Sequence, residues 1–351
     1  MESIKIENKI ISSNSRPFLI AEASVNHNGS LEKAFKMIEA AKKGNADAIK
    51  FQTFKTEEFI SDKKQAYTYV SKGKKVTETW YDLYKRYEWK EDVWQKLKKK
   101  CDQEKIIFMS TPSSVFDLNI LLKLGVSAIK VGSDDFTNIP LIKKFCESKL
   151  PIVLSCGMSN SEEIDLTLKE SGALNGYPIM LMLCVSQYPT PAPDVNLKRL
   201  DTLRKKDPNL ILGFSDHTIG TVASSTAVAF GARCFEKHFT LDRNDEGPDH
   251  SFSEDPEGLK NWADSIHLSY IMMGNSSLRP TENEEKMKVL LRKSVVAIKD
   301  IQKGEEINSK NIGVKRPGDG LAPINFYKII GKKAKVFIGK DQKIKMEFLT
   351  N

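Results

Sequence analysis

Four of the chain's five histidines sit in short motifs dense with reactive groups: His27 in "VNHNGS", His217 in "SDH", His238 in "EKH" and His250 in "PDH". His238 ends an apolar run, and the acidic stretch that follows returns a second pair, Asp249 and His250. Imidazoles at the ends of adjacent strands suit a divalent transition metal with water positions left open. His217 and His238 are the candidate ligands. Thiolates do not join them. The five cysteines, Cys101, Cys146, Cys156, Cys184 and Cys234, are widely spaced and form no CxxC pair. They read as reduced and buried in a cytoplasmic protein.

Other polar residues recur at the ends of apolar runs. They are Glu22 in "PFLIAEA", Lys50 and Gln52 in "AIKFQTF", Ser110 and Thr111 in "IIFMSTP", and Lys130 and Ser133 in "AIKVGS". Ser155 in "PIVLSCG", Ser186 in "PIMLMLCVS" and Ser215 with Asp216 in "LILGFSDH" complete the set. Buried strands have no structural need for such a group at every end. Two lysines among hydroxyls provide point charges and neutral donors for phosphate and carboxylate oxygens, so the substrate should be anionic. A lysine so placed could instead form a Schiff base, which borohydride would trap. The histidine pair favours the non-covalent route, because a metal polarises a carbonyl by itself.

The elements that must position these groups can be read from the runs themselves. Eight of them, at 17–23, 48–54, 106–112, 128–133, 151–157, 178–186, 210–217 and 234–240, are short and apolar on both faces, as buried parallel strands are. Helical patterns lie between them, such as residues 30–44 with Ser30 as N-cap and Gly44 as stop, and residues 256–274 close the series. The count predicts a (β/α)8 TIM barrel over residues 1–274, with its site at the C-terminal rim of the strands. A doubly wound sheet would usually carry GxGxxG after its first strand, and that motif is absent. "IKIENKII" reads as a strand or hairpin plugging the barrel bottom. The long connection 55–90, rich in Lys, Tyr and Trp, reads as a lid or an interface. Residues 275–289 read as a linker and 290–351 as a small β-rich domain.

The net charge of +8 is uneven: from Leu290 onward the chain has 14 Lys+Arg against 6 Asp+Glu, and the first 289 residues balance at 40 of each. The tail has few aromatics and scattered lysines, which argues against nucleic acid and for an anionic small molecule. No run is long enough to span a membrane, and the first residues lack the apolar core of a signal peptide.

Taken in order, "IAEASVNHNGS", "AIKFQTF", "FMSTP", "IKVGS", "LSCGM", "YPTP", "GFSDHTIG", "EKHFTLDR…GPDH" and "VKRPGDG" resemble the sialic acid synthases over nearly the whole chain. These nonulosonate synthases condense phosphoenolpyruvate with an N-acetylated amino sugar. The resemblance implies a metal-dependent (β/α)8 barrel, a C-terminal antifreeze-like (SAF) domain and a domain-swapped homodimer. It implies that Lys50, Thr111, Lys130, Ser133, Ser155, Ser186 and Ser215 hold phosphoenolpyruvate, and that His217 and His238 hold Mn2+ or Mg2+. Glu22, Gln52, Asp135, Tyr188 and Asp249 would face the sugar and the proton transfers, with Glu22 the first candidate for the water proton. Arg316 would reach the N-acetyl group of sugar bound in the partner. The chain has Ser186 where many members have Asn and Asp135 where many have Glu, so N-acetylmannosamine and the diacetamido hexoses all stay open. A related 3-deoxy-ulosonate synthase would accept phosphosugars and should not need the tail. A non-catalytic carbohydrate-binding protein would not need eight decorated strand ends.

Overall fold

The eight apolar runs all become parallel strands: β1 (Phe18–Ser24), β2 (Ala48–Thr53), β3 (Ile107–Pro112), β4 (Ile129–Val131), β5 (Ile152–Ser155), β6 (Ile179–Cys184), β7 (Ile211–Asp216) and β8 (Cys234–His238). They pair in the order β3-β2-β1-β8-β7-β6-β5-β4. The ends of that order, β3 and β4, also lie side by side, so the sheet curls into a nearly closed barrel. The computed structural model describes residues 3–350, in two compact units, Met1–Gly274 and Asn275–Asn351.

Strand periodicity decides what faces the barrel axis. Leu19, Ala21 and Ala23 pack into the layer shared with the helices, whereas Phe18 and Ile20 join the inner core with Ala48, Ile107, Met109, Ala128, Val153, Met180, Met182, Ile211 and Cys234. Side chains alternate faces along a strand. The next inward positions are therefore Glu22, Lys50, Thr111, Lys130, Ser155, Ser215 and Glu236. An apolar plug fills the lower barrel and a polar layer lies above it. A one-residue slip of β1, β2, β4 or β8 would drive Glu22, Lys50, Lys130 or Glu236 into the helix layer, so burial on both faces fixes the register.

The N-terminal segment is the expected hairpin, Ile4–Ile6 paired antiparallel with Lys9–Ile11. Its Ile4, Ile6 and Ile11 join the inner core at the N-terminal end of the strands. The helix Leu31–Lys43 is capped by Ser30, whose side chain accepts from the Lys33 amide, and ends at Gly44. The last barrel helix is Pro256–Met273. The 55–90 connection folds into a hairpin, Ala66–Ser71 with Lys74–Thr79, and the helix Trp80–Tyr87. Tyr69, Leu83 and Tyr87 of this connection form a small core with Val25 and Phe54, which follow β1 and β2.

The second unit departs from the sequence reading at its start. Within residues 275–289, expected to be a linker, a helix Glu282–Leu291 begins under a capping box between Thr281 and Glu284. Beyond it, Ser294–Ala297 pairs antiparallel with Ile312–Lys315 over a core that includes Val295, Ile301, Ile307, Ile329 and Ile338.

Candidate active site

Two buried carboxylates and two buried lysines form the floor of the barrel mouth. Lys50 Nζ lies 2.7 Å from Glu22 Oε2 and 3.7 Å from Glu236 Oε1, and Lys130 Nζ lies 3.8 Å from that same Glu236 oxygen. All four residues are at most 4% exposed. Lys50 also donates to Thr111 Oγ1 at 3.1 Å, Lys130 to the Val131 carbonyl at 3.1 Å, and Ser215 Oγ to Glu236 at 3.4 Å.

The electrostatics divide the two acids. Burial pushes the Glu22 carboxyl up to about 7, against the opposing pull of Lys50. Glu236 meets the same burial, but Lys130 and Lys50 together outweigh it and hold its carboxyl below the usual range. Burial works against the charge on Lys50, and Glu22 with Glu236 more than offsets it, so this ammonium is held above its ordinary value.

Hydroxyls gather on one side of that floor. Ser133 Oγ accepts from the Gly157 amide at 3.0 Å. A Cβ at Gly157 would stand 2.6 Å from Ser133 Oγ and 2.7 Å from Ser186 Oγ, so the missing side chain is what lets the two serines converge. Ser155 Oγ is buried with no hydrogen-bond partner in the structure. Cationic lysines beside converging hydroxyls are a cradle for an anion.

The histidines belong to two neighbouring strands. His217 and His238, at the ends of β7 and β8, have ring centroids 5.3 Å apart, and the Tyr188 ring lies 4.2 Å from the first and 5.7 Å from the second. His217 Nδ1 donates to the Val185 carbonyl at 2.8 Å. Burial works against the charged ring, but Cys184 with that carbonyl outweighs it and holds the imidazole above its ordinary value, so Nε2 offers a lone pair only once the ring has given up its second proton. His238 Nδ1 is buried without a hydrogen bond, 3.7 Å from Asp249 Oδ2. Burial and then the cations around it, His217 and Lys50 first, press the His238 imidazole well below its ordinary value and keep it neutral. Among the described residues no cluster of three His, Cys, Asp or Glu could hold a metal. What the residues fit is an ion on two imidazoles, its other positions left to substrate and water.

Asp249, carried back by the loop after β8, accepts from Ser24 Oγ at 2.5 Å. Gln52 Nε2 donates to Ser24 Oγ at 3.2 Å and to Glu22 Oε1 at 3.3 Å, closing a chain from Asp249 to Glu22. The insertion touches this loop, with the Gly247 amide donating to Ser71 Oγ at 3.0 Å.

Not every expected residue joins the cluster. Asp135 turns to Asn138, which donates to it at 2.8 Å at the start of a helix. Its neighbour Asp134 is the one whose charge reaches Lys50, Tyr84 and Tyr188. Arg316 lies in the second unit, where its Nε donates to the Leu291 carbonyl at 3.1 Å. His250 does not face the mouth: its ring nitrogens meet Thr240 Oγ1 at 2.7 Å and Asn28 Oδ1 at 3.1 Å, so it anchors the loop that delivers Asp249. His27 stacks on Trp89 with centroids 3.9 Å apart, and burial presses it down to about 3. Asp216 points outward to the buried Lys237 at 3.1 Å and to Ser224 at 2.6 Å.

Glu236, Ser24 and Asp134 escaped the reading of the sequence. Glu236 was within reach, since it sits two residues before His238 on the same strand face. Ser24 and Asp134 had no such signal.

The NeuB family matches residues 37–277 and the SAF domain residues 292–350. The N,N'-diacetyllegionaminic acid synthase of Campylobacter jejuni is 38% identical over 94% of this chain and 99% of its own. A pseudaminic acid synthase of the same species is 34% identical over 90% of this chain and 92% of its own. A crystal structure of the N-acetylneuraminic acid (sialic acid) synthetase of Leptospira borgpetersenii, in complex with citrate, superposes with TM-score 0.73 at 32% identity, covering 81% of this chain and 94% of that one.

Proposed function

The chain belongs to the NeuB family and carries a SAF domain, and from that premise we propose that it condenses phosphoenolpyruvate with an N-acetylated amino sugar and water to give a nonulosonic acid and phosphate. The observation that carries the reading is the pairing of an anion cradle with two neutral-capable imidazoles in one barrel mouth. Lys50 and Lys130 share Glu236, the Ser133 and Ser186 hydroxyls converge over Gly157, and the His217 and His238 rings pair at 5.3 Å, all at the C-terminal ends of the barrel strands.

In this reading Lys50, Lys130, Thr111, Ser133, Ser155, Ser186 and Ser215 bind the phosphate and carboxylate of phosphoenolpyruvate and orient its C3 toward the sugar aldehyde. C3 forms the new carbon–carbon bond, the aldehyde oxygen takes a proton, water adds at C2, and the C2–O bond to phosphate breaks. Glu22, with a carboxyl near 7, is matched to accept the proton of that water. Lys50 is held as an ammonium by Glu22 and Glu236, which suits it to an anion and not to a Schiff base. A divalent ion, Mn2+ or Mg2+, on His217 and His238 would polarise the aldehyde oxygen. Gln52, Tyr188 and Asp249 line the sugar side. Asp135 would have to leave Asn138 to join them. Arg316 is proposed to serve the site of a partner subunit in a homodimer.

The sugar stays open among N-acetylmannosamine and the diacetamido hexoses, since the relatives carry three different product names. Phosphate release from phosphoenolpyruvate with each sugar, with the mass of the product, tests the reading. Turnover with a phosphosugar alone would move the chain to the 3-deoxy-ulosonate synthases, and no turnover at all would leave a carbohydrate-binding role.

A further inference from the structure

Ser24 ends β1 in the left-handed region, with φ 46°. Side chains bearing a Cβ enter that region at an energetic cost, and glycine enters it freely. The pairing register with β2 shifts between Glu22 and Ser24, so the backbone makes an irregular step here. A glycine would take this step without strain. The chain instead keeps a serine that is 1% exposed, and its hydroxyl is fully engaged. It donates to Asp249 Oδ2 at 2.5 Å and accepts from Gln52 Nε2 at 3.2 Å. Strain of this kind persists where the surroundings over-determine it, and such places cluster at functional sites.

The rest of the loop has separate anchors. His250 is tied to Thr240 and Asn28, and Gly247 to Ser71. Those contacts fix the backbone but not the direction of the Asp249 carboxylate, which lies 3.7 Å from His238 Nδ1. We propose that Ser24 is a positioning residue whose hydroxyl aims the Asp249 carboxylate into the sugar side of the mouth and couples it through Gln52 to Glu22. This rests on the reading of Asp249 as a sugar-facing group.

The test compares Ser24→Gly, Ser24→Ala, Asp249→Asn and the double variant Ser24→Gly/Asp249→Asn, using phosphoenolpyruvate and the best sugar found for the wild-type chain. Glycine relieves the backbone, so Ser24→Gly should melt no lower than wild type. Loss of a hydrogen bond to a charged group should still lower kcat/KM for the sugar roughly ten- to hundredfold, with KM for phosphoenolpyruvate unchanged. Ser24→Ala keeps the strain, and should show the same kinetic loss with no gain in melting temperature. In the Asp249→Asn background, Ser24→Gly should cost no further activity, because a residue acting through another is not additive with it. Wild-type kinetics in Ser24→Gly, or a full additional loss in the double variant, overturns the proposal and leaves the proposed function standing. If the wild-type chain turns over none of the sugars, the proposed function fails instead. The link is then decided by a crystal structure of Ser24→Gly, in which an Asp249 carboxylate that has not moved overturns it.

Discussion

His217 and His238 stand on adjacent strands with ring centroids 5.3 Å apart, and their Nδ1 atoms meet different fates: one reaches the Val185 carbonyl at 2.8 Å and the other is buried with no hydrogen bond. Among the described residues no third His, Cys, Asp or Glu completes a metal cluster with them, so an ion held here would rest on two imidazoles, each in its neutral form. A chelator should abolish phosphate release, and Mn2+ should restore it. His217→Ala should lower bound metal, read directly by elemental analysis or calorimetry, while its melting temperature stays near wild type. Full turnover of the metal-free protein would defeat this expectation.

Gly157 and Lys130 test the anion cradle from two sides. Gly157→Ala places a methyl within 2.7 Å of the Ser133 and Ser186 hydroxyls, which must turn away, and 3.0 Å from Ser133 Cβ, where the local backbone must give slightly. The fold should survive and KM for phosphoenolpyruvate should rise. Lys130→Ala removes a charge-assisted contact of about 1.5–3 kcal/mol, so KM for phosphoenolpyruvate should rise roughly ten- to hundredfold. A raised sugar KM with unchanged phosphoenolpyruvate KM would show the lysine serving the other half of the site.

Glu236 predicts a stability effect. It sits 3.7 Å from Lys50 and 3.8 Å from Lys130, all three buried. Removing one partner of a buried ion cluster leaves charge uncompensated, at a cost of about 3–5 kcal/mol. Glu236→Ala should show that loss in denaturant melts. Glu236→Gln should recover part of it, and an alanine variant as stable as wild type would contradict the electrostatic reading.

The Glu22 carboxyl gives a pH dependence with a definite sign. Burial lifts it to about 7, so it is ionised, and able to accept a proton, only as pH rises through that value. The activity profile should climb through pH 7, and Glu22→Gln should lose that limb. Stability runs the other way. A folded-state value above the unfolded one contributes stability that is complete below the ordinary carboxyl value of 4.5 and is lost as pH rises toward 7. Glu22→Gln should flatten that part of the stability curve. A variant with an unchanged activity limb would assign it to another group.

Arg316 is tested by subunit mixing. Chains with Arg316→Ala are combined with chains inactivated at His238. If the arginine serves a partner's site, one site in each heterodimer carries both lesions and the other carries neither, so activity should partly return. No recovery in proven heterodimers would place its action within its own chain, or nowhere.

The sequence by itself determined the barrel and most of its rim. Eight apolar runs alternating with helical patterns and lacking the GxGxxG of a doubly wound sheet point to parallel strands closed into a barrel, and period-2 alternation then carries Glu22, Lys50, Lys130 and Ser215 to the same end and the same face. His217 and His238 follow from the same rule. The tertiary structure decided what depends on loop paths and on contacts far apart in the chain. The loop after β8 is expected to return His250 together with Asp249, yet Thr240 and Asn28 take up the His250 ring nitrogens. Asp135 is expected at the site only through the resemblance, at a position where many members have Glu, yet Asn138 takes its carboxylate and it is the charge of Asp134 that reaches Lys50. The polar segment that opens the second unit reads as a linker, since the apolar residues of its helix, Met287, Val289, Leu290 and Leu291, crowd into its second half and leave the first half polar. Ser24 was hidden for a different reason. Its left-handed backbone and its bond to Asp249, 225 residues away, exist only once the barrel has closed and the loop after β8 has folded back over it.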